Sequence, residues 1–216
     1  NLKLIELFNA RKLMGISLKK VTAENGLKLE IKNKDAKRYK YKFISGSSMA
    51  VFKRKGGDIW RSKSSNVEFN GGSAAIRNKA DFAALTFELK LKTARGGGGG
   101  YKEITDSIKN RMNITLPSNQ DLKSQAKELK QRGEKSRLAM PLYNMVKKIH
   151  PQVTKEEWMR GFSEKRDAEI HSKIAGIYVL HALVANKNKA DLVITDMVNY
   201  AGSTLEASSI YAKVYQ

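Results

Sequence analysis

Ala84-Leu85-Thr86-Phe87-Glu88-Leu89-Lys90-Leu91-Lys92, followed after Thr93-Ala94-Arg95 by five consecutive glycines at 96–100, is where the chain changes character. Phe87, Leu89 and Leu91 alternate with Glu88, Lys90 and Lys92, the period-two pattern of a strand with one buried face. Glycine loses more backbone entropy on ordering than any other residue, so the run at 96–100 is expected to be a loop that no helix or strand crosses. On its N-terminal side the alternation recurs. Ile16 and Leu18 alternate with Ser17 and Lys19 within residues 15–21. After the turn signal Glu24-Asn25-Gly26, Leu27, Leu29 and Ile31 alternate with Lys28, Glu30 and Lys32, which predicts a β-hairpin. More strand signal surrounds Val51-Phe52 and Val67-Glu68-Phe69, and a short amphipathic helix is expected over residues 2–8.

C-terminal to the glycines the spacing turns helical, with segments at 101–112, 119–132, 136–149, 154–160, 164–185 and 189–201. Pro117, Pro141 and Pro151 fall at or near interruptions or first turns. A short strand closes the chain at 209–215. Strands first and helices afterwards predict an α+β protein, an N-terminal twisted, mainly antiparallel sheet with C-terminal helices packed against it. The expected organisation is a basic strand-rich region at 1–95, a glycine loop at 96–100 and a mainly helical region at 101–216, packed as one unit.

Composition narrows the function. A chain of 216 residues with 41% apolar content can bury a core without covalent staples. It contains no Cys, which excludes a disulfide framework and any Cys-based zinc site and agrees with a reducing compartment. No apolar run approaches the ~20 residues that span a bilayer, and the first residues lack a signal-peptide h-region. A soluble protein of the cytoplasm, or of the host cytoplasm if viral, with no membrane partner, is expected. The chain opens on Asn1 rather than Met, which leaves room for an upstream segment.

Charge is the strongest signal. The net charge is +20, and it is unevenly placed: residues 1–150 hold 33 Lys/Arg against 13 Asp/Glu, whereas residues 151–216 hold 8 against 8. A surplus confined to one part of a chain is what a polyanion-binding surface requires, and DNA or RNA is the expected partner. The alternatives are a merely solvated basic surface, an acidic protein and an anionic membrane face. The densest stretch, residues 34–42, interleaves Lys37, Arg38, Lys40 and Lys42 with Tyr39 and Tyr41, and reads as phosphate contact. Lys20, Arg54 and Arg95 are further expected contacts. Tyr39, Tyr41 and Trp60 either stack on bases or pack beneath lysine stems. Trp158, Phe162 and the stripe Ile174, Ile177, Tyr178, His181 read as core, the stripe closing a helical layer over the sheet or meeting a partner.

Three strands carry a polar pair at i, i+2 and so on one face: Ser17/Lys19, Glu30/Lys32 and Glu88/Lys90. In metal-dependent phosphodiester hydrolysis a carboxylate holds the ion that activates water, while an adjacent lysine offsets developing charge. The competing reading, favoured for Glu30/Lys32, is a cross-strand ion pair. His150, His171 and His181 read as structural, since His171 and His181 lie roughly 80° and about 15 Å apart on one helix and cannot share a metal. The glycine run lacks the Lys-Ser/Thr of a P-loop. It reads as a connector, or as backbone approaching phosphate beside Arg95 and Lys102.

Gly15-Ile16-Ser17-Leu18-Lys19-Lys20-Val21 resembles a segment of tailed-phage proteins and of restriction-endonuclease-like proteins, in which a Ser-x-Lys or Glu-x-Lys strand ends the PD-(D/E)xK motif. Gly71-Gly72-Ser73-Ala74-Ala75-Ile76-Arg77 and Phe87 through Arg95 resemble the phage group as well. Together these stretches cover well under a third of the chain. The resemblance implies a nuclease-like core in which Lys19 matches the motif lysine and Ser17 replaces its usual acid. The motif's upstream acid is not matched, because only Glu6 precedes the strand. On that reading Lys19, Glu88 and Lys90 are catalytic, and Glu88 and Asp81 hold Mg²⁺ or Mn²⁺, with Asp58 or Glu6 as other second acids. The expectation requires Ser17/Lys19 and Glu88/Lys90 on neighbouring strands. The competing class is a non-catalytic nucleic-acid-binding or virion-associated structural protein.

Overall fold

The computed structural model describes residues 15–18, 28–32, 40–47, 58–60, 64–79, 84–92, 97–206 and 211–215. The chain divides into two compact units, one formed by residues 1–38 and 202–216, the other by 39–201. The fold is α+β, as the segregation of strand and helix patterns predicts.

In the first unit β1 (Gly15–Leu18), β2 (Lys28–Lys32) and β8 (Tyr211–Tyr215) form a three-stranded sheet in the order β1-β8-β2. β8 runs parallel to β1 and antiparallel to β2. This corrects the predicted hairpin, because β1 and β2 do not pair with each other. Nine residues, 19–27, link β1 to β2, far more than the two-residue turn that locks strands side by side. Lys213 stands opposite both Ser17 and Glu30 in the register. The predicted helix over residues 2–8 and the strand around Val51-Phe52 lie outside the described residues.

The second unit is built on a five-stranded antiparallel sheet in the order β3-β4-β5-β6-β7. Its strands are β3 (Phe43–Ser47), β4 (Ser65–Phe69), β5 (Gly72–Lys79), β6 (Ala84–Leu91) and β7 (Gly98–Gly100). The period-two pattern buries Val67, Phe69, Ala74, Ile76, Leu85, Phe87 and Leu89 on one face. Asn70-Gly71 closes the β4–β5 hairpin, with Gly71 at φ +93°, where a side chain would be strained.

Among the described residues six α-helices follow: α1 (Tyr101–Met112), α2 (Asn119–Arg132), α3 (Ala139–Ile149), α4 (Lys155–Glu164), α5 (Asp167–Ala185) and α6 (Lys187–Glu206). Their bounds follow the predicted spacing closely. Start signals explain several: Ser118 and Asp121 form a reciprocal capping box on α2, and Thr154 caps α4. α5 packs on β3, β4 and β5 with one side and on α2 and α3 with the other. That sandwiched position explains why it is apolar almost all round, with Ile174 and Ile177 fully buried. No helix among the described residues is long and apolar enough to cross a membrane.

The glycine boundary needs correcting. Gly98–Gly100 is not loop but an edge strand, with Gly98 opposite Glu88, Gly99 opposite Phe87 and Gly100 opposite Thr86. Close approach accounts for the composition. A Cβ at Gly98 would lie 2.4 Å from the Phe87 carbonyl oxygen, and one at Gly99 would lie 2.6 Å from the Phe87 ring and 2.7 Å from the Tyr200 ring. Pairing with β6 offsets the entropy the glycines lose. The strand runs directly into α1, so the units separate near residues 38 and 201 rather than at 96–100.

Candidate nucleic-acid interface

The described residues bring together part of the predicted site set. Lys19, Lys20, Lys37, Arg38, Arg54, Asp81 and Arg95 lie outside them, as does Tyr39. Glu88 and Lys90 lie on β6, while Ser17 lies on β1 in the other sheet. The expected placement of the Ser17 and Glu88 pairs on neighbouring strands is therefore overturned: β5 and β7 take up both edges of β6. Glu88 is ion-paired with Arg77. Among the described residues no three His, Asp or Glu side chains group closely enough to hold a metal ion.

One end of the five-stranded sheet gathers cations. The Asn70-Gly71 turn sits at its centre. On one side the Asn70 amide donates to the Lys42 carbonyl at 2.9 Å, and the Lys42 amide donates to Asn70 Oδ1. On the other side the Lys92 amide donates to the Gly71 carbonyl at 2.9 Å. Lys42 and Lys92 thus flank the turn from β3 and β6, with Lys40 and Lys90 two residues from each, and all four side chains are exposed. Three strand spacings separate the flanking chains, about 14 Å, which matches a run of backbone phosphates rather than a single small anion.

The acids nearby are engaged. Glu68 shares a register row with Ser73 and Lys90 and accepts from Ser45 Oγ at 3.0 Å. Asp191 of α6 accepts from the Phe43 amide at 2.7 Å, and Thr195 accepts from the Tyr41 amide at 3.0 Å. These two bonds satisfy the Phe43 amide at the start of β3 and the Tyr41 amide just before it. Tyr41 packs edge-on against Phe69, with ring centroids 5.5 Å apart, and its ring lies beside Gly71. Its partner is a core ring rather than a lysine stem.

Trp60 is a correction of the stacking alternative. It is 4% exposed, stacked on Trp158 at 5.1 Å and edge-on to Phe162 at 5.8 Å. Its Nε1 donates to the carbonyls of Glu157 and Trp158, and Gly161 leaves the space its ring fills. Asp58, a candidate second acid, is ion-paired with Arg160 and accepts from the Trp60 amide. Of the histidines, His171 is fully buried, and burial pushes its imidazole down to about 4.

Sequence reasoning missed Lys173. It is 1% exposed within α5, and its ammonium donates to the Ser64 carbonyl at 3.1 Å. Burial pushes it down to about 7, Asp58 opposing the shift and Lys165 adding to it. A lysine at helical spacing within Ile170, Ile174 and Ile177 was the available signal, but that pattern is equally met by a lysine reaching past the core to solvent.

Compared with known proteins, the chain matches no family model, no curated protein and no solved structure.

Proposed function

We propose that the chain binds DNA or RNA through the lysine-bearing end of the five-stranded sheet. The observation that carries this reading is the convergence of Lys40, Lys42, Lys90 and Lys92 around the Asn70-Gly71 turn. They come from the start of β3 and the end of β6, far apart in sequence, so their juxtaposition is a product of the fold and not of one lysine-rich run. The surplus of 33 basic over 13 acidic residues in the first 150 supports it. Lysine ammonium groups on a rigid sheet edge meet phosphates as point charges, which gives affinity with little sequence preference.

The test is a salt titration with fluorescent duplex and single-stranded oligonucleotides. Affinity is expected to fall steeply with salt, with the logarithmic slope set by the phosphates neutralised. Changing Lys40, Lys42, Lys90 and Lys92 together to Gln should weaken binding to both substrates and reduce the slope by about one per lysine removed. The fold should survive, because all four side chains are exposed. Binding with an unchanged slope in this variant, or none by the natural chain at low salt, overturns the proposal.

A further inference from the structure

We propose that the three-stranded sheet of the first unit is a binding site for single-stranded nucleic acid, with unpaired bases stacking on Tyr211 and Tyr215 of its central strand and phosphates meeting Lys28 and Lys32 of β2. It is a second site, carried by a different unit from the lysines at the Asn70-Gly71 turn, and it stands or falls apart from them.

Register assembles the site. β8 lies between β1 and β2, so residues of the three strands that share a row share a face of the sheet. Tyr211 is opposite Gly15 and Lys32, Lys213 is opposite Ser17 and Glu30, and Tyr215 is opposite Lys28. The alternate rows hold Ile16, Ala212 and Ile31, then Leu18, Val214 and Leu29. The strands thus sort into one wholly apolar face, the kind a sheet packs on a core, and one face of Tyr, Lys, Ser, Gly and Glu. The second is the candidate surface. Had β1 and β2 paired directly, the tyrosines of the C-terminal strand would not stand in the lysine rows of β2.

Charge and ring chemistry together select the occupant. The face carries three lysines, Lys28, Lys32 and Lys213, against the single acid Glu30. It belongs to a unit that holds 11 Lys/Arg against 5 Asp/Glu over residues 1–38 and 202–216, so an anion is favoured. A tyrosine and a lysine are paired across β8 and β2 twice, Tyr211 with Lys32 and Tyr215 with Lys28. Partners in such a row stand about 5 Å apart between Cα atoms, and the two rows lie about 13 Å apart along the strand. A repeated pair of flat ring and cation matches a nucleotide chain, ring to base and ammonium to phosphate. A small inorganic anion would use the lysines alone and leave the tyrosines without a role. A duplex keeps its bases stacked on one another, so the tyrosines select strands whose bases are unpaired.

The full chain is titrated with a fluorescein-labelled oligothymidylate and with a duplex of equal length. Changing Tyr211→Leu and Tyr215→Leu together removes the rings and no charge, and should weaken the single strand about tenfold or more while duplex affinity and both salt slopes stay unchanged. Changing Tyr211→Phe and Tyr215→Phe together keeps the rings and should bind like the natural chain. The Leu pair should cause the same loss when added to the variant with Lys40, Lys42, Lys90 and Lys92 changed to Gln, so a failure of the basic sheet end leaves this result readable. Ultraviolet crosslinking of a bromouracil-substituted single strand to the natural chain should place adducts on Tyr211 or Tyr215, a readout that does not depend on how the Leu variant folds. Four outcomes overturn the proposal: no single-strand binding by the natural chain at low salt, equal losses for single strand and duplex in the Leu pair, a Phe pair as weak as the Leu pair, or crosslinks confined to other residues.

Discussion

Lys173 sets a pH dependence whose sign follows from its burial. Its ordinary value is 10.5, and in the folded chain it is pushed down to about 7. Between those values the unfolded chain holds a proton that the folded chain does not, so stability rises with pH across that window. Below about pH 7 both states are protonated and the full cost of the buried charge is present. His171, pushed from 6.5 down to about 4 by burial, acts in the same direction at lower pH, removing stability as pH falls through that range. Lys173→Met, which keeps the length and removes the charge, should therefore stabilise the fold by about 2 kcal/mol at pH 6. The gain should shrink by pH 9.5, where the natural lysine is already neutral. Urea unfolding at the two pH values measures it, and an equal gain at both would show that the ammonium is not what Met relieves. The residue scale is also where sequence reading was weakest. Identity and spacing cannot say whether a lysine in an apolar helix reaches solvent, and here its path is closed by the segment carrying Ser64.

The elements were far more legible, because hydrophobic period is a property of many residues at once. Alternation identified β4 and β6, and every helix of the second unit sits within a few residues of its expected span. The failures have a common physical origin in contacts distant along the chain. β8 separates β1 from β2, and the glycine strand β7 owes its order to β6 and to Tyr200, which lies about a hundred residues onward in sequence. The packing of α4 makes such contacts measurable. A Cβ at Gly161 would fall 1.8 Å from the Trp60 ring, which two carbonyls and two aromatic neighbours hold in place. Gly161→Ala should cost 3 kcal/mol or more, on the order of the largest single-residue effects. Gly133→Ala meets nothing within 4 Å, but φ +52° with ψ −126° is a glycine-only conformation, so it should cost about 1–3 kcal/mol through backbone strain alone. A Gly161→Ala cost below about 1 kcal/mol by chemical denaturation would mean that Trp60 does not occupy the groove that Gly161 provides.

For the whole molecule the question is whether placement of charge or its total governs contact with polyanions. A chain at net charge +20 is attracted to nucleic acid by its overall field, and that field is screened within about 10 Å at 0.1 M salt. Four lysines gathered at a sheet end act at shorter range, displacing counterions from the phosphates they touch. The sequence showed the surplus but not the gathering, since Lys40 and Lys42 meet Lys90 and Lys92 only through the register of β3 to β6. Two variants with the same change in net charge separate the effects. One replaces Lys40, Lys42, Lys90 and Lys92 with Gln, and the other replaces Lys109, Lys127, Lys155 and Lys187, which are exposed on four different helices. If placement governs, both should lose a similar, small amount of association rate at low salt, because steering depends on total charge. Only the first should lose equilibrium affinity at 150 mM salt, by about tenfold or more, with a shallower salt slope. Equal losses of affinity and slope would assign binding to the overall field, and the lysines at the Asn70-Gly71 turn would then be no more than four contributors to it.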